Sequence, residues 1–236
     1  DLKSLKDKTA IVTGASRGIG MAIAEGFAKV GANVSIAARN KDELSSVETH
    51  LKKFNSNVIA FQTDVSQSEE VDALINNTLK SFGQIDILVN NAGLYKELAL
   101  VPFPDRTLTP PSVMRSSKKR MTDDEFRQII DTNIGGVFYG CRAVAPSMMD
   151  QRYGKIINVS STAATKASTL QAVYASSKTA VNMLTSCLAL EWAEYGIRVN
   201  SIAPGLIATA IWEESRNTIP GLIEDMEGQI ALKRWG

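Results

Sequence analysis

Histidine and cysteine are scarce in this chain, and that scarcity removes several chemistries at the outset. The one histidine, His50, sits on a polar segment with no acidic or cysteine partner evident beside it, so a histidine-based triad or metal cluster lacks material. The two cysteines, Cys141 and Cys187, fall in helical-looking stretches and not at the spacings of a disulfide framework or zinc site, which fits a reducing compartment. Charge of one sign is missing too: the net charge is +1 with acids and bases mixed throughout, so no global field holds nucleic acid or an anionic membrane. Any phosphate recognition must be local. No apolar run approaches the roughly 18 residues of a membrane span, and no cleavable leader is evident. Internal repeats and low-complexity segments are absent as well. The expectation is a soluble, cytoplasmic protein with no nucleic-acid or membrane partner and no metal.

What is present is an alternation. With 236 residues, 44% of them apolar, the chain has material for one large core. Short β-rich runs at residues 10–12, 34–37, 58–61, 87–89, 156–159 and 197–200 are separated by helical stretches. That rhythm predicts an α/β fold, a doubly wound, mostly parallel sheet of the Rossmann kind in a single domain spanning 1–236. The first helix is expected to bury Ile19, Ile23, Phe27 and Val30 on one face and to end at Gly31. Two segments break the rhythm. Residues 94–122, with Pro102, Pro104, Pro110, Pro111 and the basic run Lys118, Lys119, Arg120, read as a loop insertion. Residues 206–228, with Trp212, Pro220 and Gly221, read as a substrate loop.

Two motifs carry chemistry. Directly after the first strand comes Thr13-Gly14-Ala15-Ser16-Arg17-Gly18-Ile19-Gly20, leading straight into a helix. Glycines there allow a tight turn and close backbone approach, and the free amides and dipole of the helix start attract a pyrophosphate. At the end of strand 2, where a fold selecting NAD usually offers a carboxylate to the ribose, this chain reads Ala37-Ala38-Arg39. Arg39 and Arg17 suit a fork around a 2′-phosphate, which predicts NADP(H) over NAD(H). The second motif is Tyr174-Ala175-Ser176-Ser177-Lys178 on a helical stretch, which sets phenol and ammonium one turn apart on one face. A neighbouring cation favours phenolate and brings tyrosine toward acid-base duty. Ser161 lies thirteen residues before Tyr174, just past a strand end, where such sheets deliver site residues.

The spacing of Gly14, Gly18 and Gly20, the pair Asp64-Val65, the turn Asn90-Asn91-Ala92-Gly93 and the Ser161, Tyr174, Lys178 set together resemble the short-chain dehydrogenase/reductase family. Its 3-oxoacyl-(acyl-carrier-protein) reductase-like members are the nearest in pattern. The resemblance covers nearly the whole chain. It implies that Gly14, Ser16, Arg17, Gly18, Ile19, Gly20, Arg39, Asp64, Val65, Asn91, Ala92, Gly93, Pro204, Gly205 and Thr209, with Tyr174 and Lys178, hold the cofactor. It further implies that Ser161 polarises the substrate oxygen and that Tyr174 exchanges the proton. Asn133, in Asp131-Thr132-Asn133-Ile134-Gly135-Gly136, is implied to open a helix kink and bind an ordered water linked to Lys178, with Ser160 supporting from behind.

The expected substrate is a small carbonyl compound or alcohol, with Tyr95, Leu98, Leu206, Ile211 and Trp212 as an apolar lining. A homodimer or homotetramer is expected through helices near 123–151 and 170–195. The sequence departs from the family at the long 94–122 segment, which reads as a surface loop, a lid or a dock for an acidic carrier protein. It departs again at Lys233-Arg234-Trp235-Gly236, where members usually continue into a further helix and last strand. A catalytically silent dinucleotide sensor is the alternative function, with an extended-type epimerase or dehydratase further off.

Overall fold

The computed structural model describes residues 5–55, 57–102, 120–209, 227–228 and 230–236. Among them are six strands, β1 (Thr9–Thr13), β2 (Asn33–Ala38), β3 (Val58–Gln62), β4 (Ile87–Asn90), β5 (Gly154–Val159) and β6 (Ile197–Ile202). They form one sheet in the order β3-β2-β1-β4-β5-β6, and every pairing is parallel. The central strands read as continuous apolar runs because helices cover both faces, leaving no water-facing side to alternate toward. Ile11, Leu88 and Ile156 are wholly or almost wholly buried, each worth about 1.5–3 kcal/mol of apolar transfer.

Helices α1 (Gly18–Lys29) and α2 (Lys41–Leu51) cover one face, and α3 (Ser68–Phe82), α5 (Gly136–Asp150) and α6 (Ala172–Glu191) the other, while α4 (Asp123–Ile130) leads into α5. The chain winds outward from β1 to β3, then returns to the centre to place β4 beside β1. The loops leaving β1 and β4 therefore diverge and open a crevice at their C-terminal ends, where ligands of such sheets bind.

Local structure departs from the sequence reading at the buried face of α1 and at His50. The buried face of α1 is Gly20, Ala24 and Ala28, with Ile23 and Phe27 only partly buried against the core beside it. Small residues win that face because the helix lies close on the sheet, and the larger side chains reach the core from the flanks. Gly31 does end the helix turn, at φ +80°. The helix expected over 123–151 is broken at Asn133, where the resemblance implied a kink: Thr122 caps α4 through a reciprocal box with Glu125, then Asp131–Gly135 form a π-helical segment before α5. The stretch near 170–195 is α6 followed by a 3₁₀ turn at Ala193–Tyr195, closed by Gly196 at φ +71°. Finally, His50 does have an acidic partner. Its Nε2 lies 2.8 Å from Glu25 on α1, a neighbour that only the packing of α2 on α1 reveals.

Of the 94–122 segment, residues 94–102 and 120–122 are described, and Ala99 bridges Arg120. Pro104, Pro110, Pro111, Lys118, Lys119, Ile211, Trp212, Pro220 and Gly221 lie outside the described residues. No described helix is long and apolar enough to cross a membrane.

Candidate active site

The glycine loop after β1 and the turn after β4 are stapled together. Asn91 Nδ2 donates to the carbonyls of Thr13 (2.9 Å) and Gly14 (3.1 Å), while the amides of Asn91 and Ala92 donate to Thr13 Oγ1 (both 3.1 Å). The approach leaves no space for side chains. A Cβ on Gly20 would stand 2.3 Å from the Gly14 carbonyl oxygen, and Gly14, at φ +63°, would place one 2.7 Å from Ala92 Cα. The loop then opens α1 with Arg17 as its N-cap, with no side-chain hydrogen bond to the first-turn amides and no acidic residue in that turn. Uncapped amides at the positive end of a twelve-residue helix are an anion site.

That helix start faces a cleft of about 1470 Å³. Gly14, Ser16, Arg17, Gly18, Ile19, Gly20, Arg39, Asp64, Val65, Asn91, Ala92, Gly93, Pro204, Gly205 and Thr209 all line it, as do Ser161, Tyr174 and Lys178. At the end of the cleft beside β2, Arg17 and Arg39 are exposed cations, and Asn40 and Glu43 also line the cleft. Asp64 holds its own turn by accepting from the amide and hydroxyl of Ser66 (3.0 and 2.8 Å). Val65 packs on Gly136, where a Cβ would come within 2.8 Å of Val65 Cγ2. Thr209 lies over Gly18, where a Cβ would sit 3.3 Å from Thr209 Cγ2.

At the other end stand the chemical groups. The Tyr174 phenol and the Ser161 side chain line the cleft together, and Ser161 Oγ accepts from the Ala163 amide (3.1 Å). Lys178 is buried, and its Nζ donates to the Val159 carbonyl (2.8 Å) while facing Gly93. Ser160 holds the helix from behind through a bond to the Lys178 carbonyl (3.2 Å). Burial moves the two ionisable groups in opposite senses. The phenol of Tyr174 is pushed up, with Ser161 opposing, and the ammonium of Lys178 is pushed down to about 8. At Tyr174 loss of water outweighs the influence of Ser161, so the phenol rises.

Asn133 is wholly buried and lies outside the cleft lining. Its Oδ1 accepts from the Leu94 amide (2.7 Å), and its Nδ2 donates to the Leu94 carbonyl and to Ser177 Oγ (both 3.0 Å). Ser177 in turn donates to the Tyr174 carbonyl (2.7 Å). The side chain is therefore a clamp between the strand-4 turn, the π segment and α6.

Of the apolar lining expected at the substrate end, Ile211 and Trp212 lie outside the described residues and the other three divide. Leu98 is buried in a small core with Met121, Ile129 and Val173 and does not face the cleft; Tyr95 and Leu206 do. Beside them stand polar residues that the sequence did not single out: Glu97, Lys166, Ser168, Thr169 and Gln171. Gln171 alone left a trace, being three residues before Tyr174 and so one turn away on the same face. Among the described residues there is no cluster of histidine, cysteine or carboxylate fit for a metal.

Comparison with known proteins agrees with this geometry. A family model described as short chain dehydrogenase matches residues 8–220. The 3-oxoacyl-[acyl-carrier-protein] reductase FabG of Staphylococcus epidermidis is 37% identical over 232 residues, covering 98% of this chain and 86% of that one. A 2,3-dihydro-2,3-dihydroxybenzoate dehydrogenase of Bacillus subtilis is 35% identical over 239 residues, covering 98% and 85%. A crystal structure of a protein assigned as a short-chain alcohol dehydrogenase, from Sinorhizobium meliloti, superposes with a TM-score of 0.85 at 30% identity, covering 100% of this chain and 86% of that one. With a Rossmann sheet, a glycine-lined dinucleotide cleft and relatives of this kind, the chain belongs to the short-chain dehydrogenase/reductase family of oxidoreductases, which use a nicotinamide dinucleotide.

Proposed function

We propose that this protein is an NADP(H)-dependent oxidoreductase that interconverts a carbonyl and a secondary alcohol, with Tyr174 as general acid and base. The observation that carries the reading is the convergence of Ser161, Tyr174 and Lys178 on the same cleft as the uncapped start of α1. The residues fit the cofactor. The glycine cradle at Gly14 and Gly20 would be filled by any Cβ, and the first-turn amides of α1 suit its pyrophosphate. When bound, the dinucleotide supplies or accepts the hydride at the substrate carbon. Tyr174 delivers the proton to the substrate oxygen during reduction, and Ser161 donates a hydrogen bond to that oxygen as negative charge develops on it. Lys178 favours the phenolate left behind and orients the ribose hydroxyls; Asn133 holds Leu94 and Ser177 so that this geometry persists. Pro204, Gly205 and Thr209 flank the nicotinamide end.

Preference for the phosphorylated cofactor rests on Arg17 of the glycine loop and Arg39 at the end of β2, where no carboxylate takes Arg39's place; Glu43 nearby is the opposing charge. Its test is the ratio of kcat/KM for NADPH and NADH. The wild type is expected to favour NADPH by at least about tenfold, and Arg39→Asp to reverse the preference, since a charge-assisted bond contributes about 1.5–3 kcal/mol. Equal efficiency with both cofactors in the wild type contradicts the assignment.

Both reduction and oxidation have precedent among the relatives, one a ketoacyl reductase and one a dehydrogenase of a dihydroxylated ring. NADP(H) leans the physiological direction toward reduction. Exposed Phe126, Phe138, Met183 and Leu190 on α4, α5 and α6 support assembly into a homodimer or homotetramer through those helices. A cytoplasmic location fits the free thiols of Cys141 and Cys187.

A further inference from the structure

The substrate end of the cleft contains a carboxylate to which the mechanism assigns no task. Glu97 is half-buried and lines the cleft. Its Oε1 accepts from the Tyr95 hydroxyl and from Gln171 Nε2 (3.2 Å), and Gln171 Nε2 also reaches the Tyr95 oxygen (2.9 Å). Among the described residues, Oε2 takes no hydrogen bond and meets no cation. The group is held next to the chemistry, because the Tyr95 ring stands edge-on against that of Tyr174, with centroids 4.8 Å apart.

The mount is fixed from both sides. Leu98, the next residue, donates its amide to the Leu170 carbonyl (3.0 Å), and Leu170 adopts φ +64° immediately before Gln171. A left-handed leucine is costly and persists only where surrounding contacts hold it. A fixed carboxylate with an open oxygen asks for a hydrogen-bond donor. It also penalises an apolar group placed there, which would strip the oxygen of water without replacing its bond. Lys166 and the buried Lys178 line the same cleft, so a cationic substrate group there would meet like charge and the donor sought is neutral.

Resting on the oxidoreductase reading above, we propose that Glu97, mounted on Tyr95 and Gln171, accepts a hydrogen bond from a substrate hydroxyl near the reacting carbon, so that the substrates are hydroxy ketones and their polyols. Glu97 is then a specificity-determining residue. Thr162, Ser168 and Thr169 line the same cleft and add the polar surface such a substrate needs.

The test compares kcat/KM for NADPH-dependent reduction of hydroxyacetone, 4-hydroxy-2-butanone and 5-hydroxy-2-pentanone with their deoxy counterparts acetone, 2-butanone and 2-pentanone, and with aminoacetone. The three chain lengths probe the distance from Tyr174 to Glu97. At least one hydroxy ketone is expected to exceed its counterpart by about tenfold or more, the usual scale for a hydrogen bond to a charged group. In Glu97→Gln and Glu97→Ala that ratio is expected to fall toward one, whatever happens to the absolute rates. A ratio that survives both substitutions, or a wild type that turns over both classes equally, overturns the proposal while leaving the oxidoreductase reading intact. Preference for aminoacetone over hydroxyacetone overturns it in favour of cation recognition. Turnover of none of these ketones overturns it too, and the oxidoreductase reading falls with it only if other ketones and alcohols are also inert.

Discussion

Burying the Lys178 ammonium costs the folded protein stability. Desolvation lowers its pKa from 10.5 to about 8, so the unfolded chain holds the proton more tightly than the native one. The cost is present in full below about pH 8, declines as pH rises toward 10.5, and is on the order of 3 kcal/mol. Lys178→Met is therefore expected to abolish turnover yet raise the melting temperature at pH 7, with the gain shrinking between pH 8 and 10; a melting temperature that falls at pH 7 contradicts it. The same group sets a pH dependence. Tyr174 keeps its proton because burial raises its pKa, whereas Lys178 loses its charge above about pH 8. The kcat/KM for reduction should fall above about pH 8, read from a pH-rate profile. At this scale the sequence was informative about Ser161, Tyr174 and Lys178, which a strand end and a helical spacing bring together. It was silent about Glu97, because nothing local marks a residue whose partner Gln171 is 74 positions away.

Between residue and fold stands the π segment at Asp131–Gly135. A helix that adds one residue to a turn shifts the register of every later turn, and here Asn133 occupies the interior of the widened one and reaches across to Leu94. Removing its side chain leaves the Leu94 amide and carbonyl and Ser177 Oγ short of partners inside the protein. Asn133→Ala should destabilise by about 2–3 kcal/mol in chemical denaturation and reduce kcat more than KM; a fully stable variant with unchanged kcat contradicts the clamp. The family resemblance implied both the long helix and its kink at Asn133, whereas the apolar pattern alone does not mark the break, since a π turn leaves it nearly intact. The α1 face failed for a related reason. Ile19, Ile23 and Phe27 carry the apolar signal, yet close packing on the sheet selects Gly20, Ala24 and Ala28, and only the interhelical and sheet distances decide between them.

For the whole molecule, the sheet order does the positioning. Reversal of winding between β1 and β4 puts the glycine loop, the Asn91 turn, Ser161 after β5 and the loop after β6 on one rim, with α6 bringing Tyr174 and Lys178 up to it. That much was legible in the sequence, because alternating strands and helices with right-handed crossovers allow few arrangements. The substrate end was legible only in part: of Tyr95, Leu98, Leu206, Ile211 and Trp212, Tyr95 and Leu206 face the cleft, Leu98 does not, the last two lie outside the described residues, and Glu97, Ser168, Thr169 and Gln171 join the described lining. The most direct measurement of the central claim is NADPH oxidation by the wild type and Tyr174→Phe across a panel of hydroxy ketones, β-ketoesters and diketones, with NADPH binding monitored in parallel. The account predicts turnover in the wild type and its loss by at least about a hundredfold in the variant with NADPH affinity retained. A variant that keeps its rate, or a wild type that binds NADPH tightly and reduces nothing, contradicts it and points to a dinucleotide sensor.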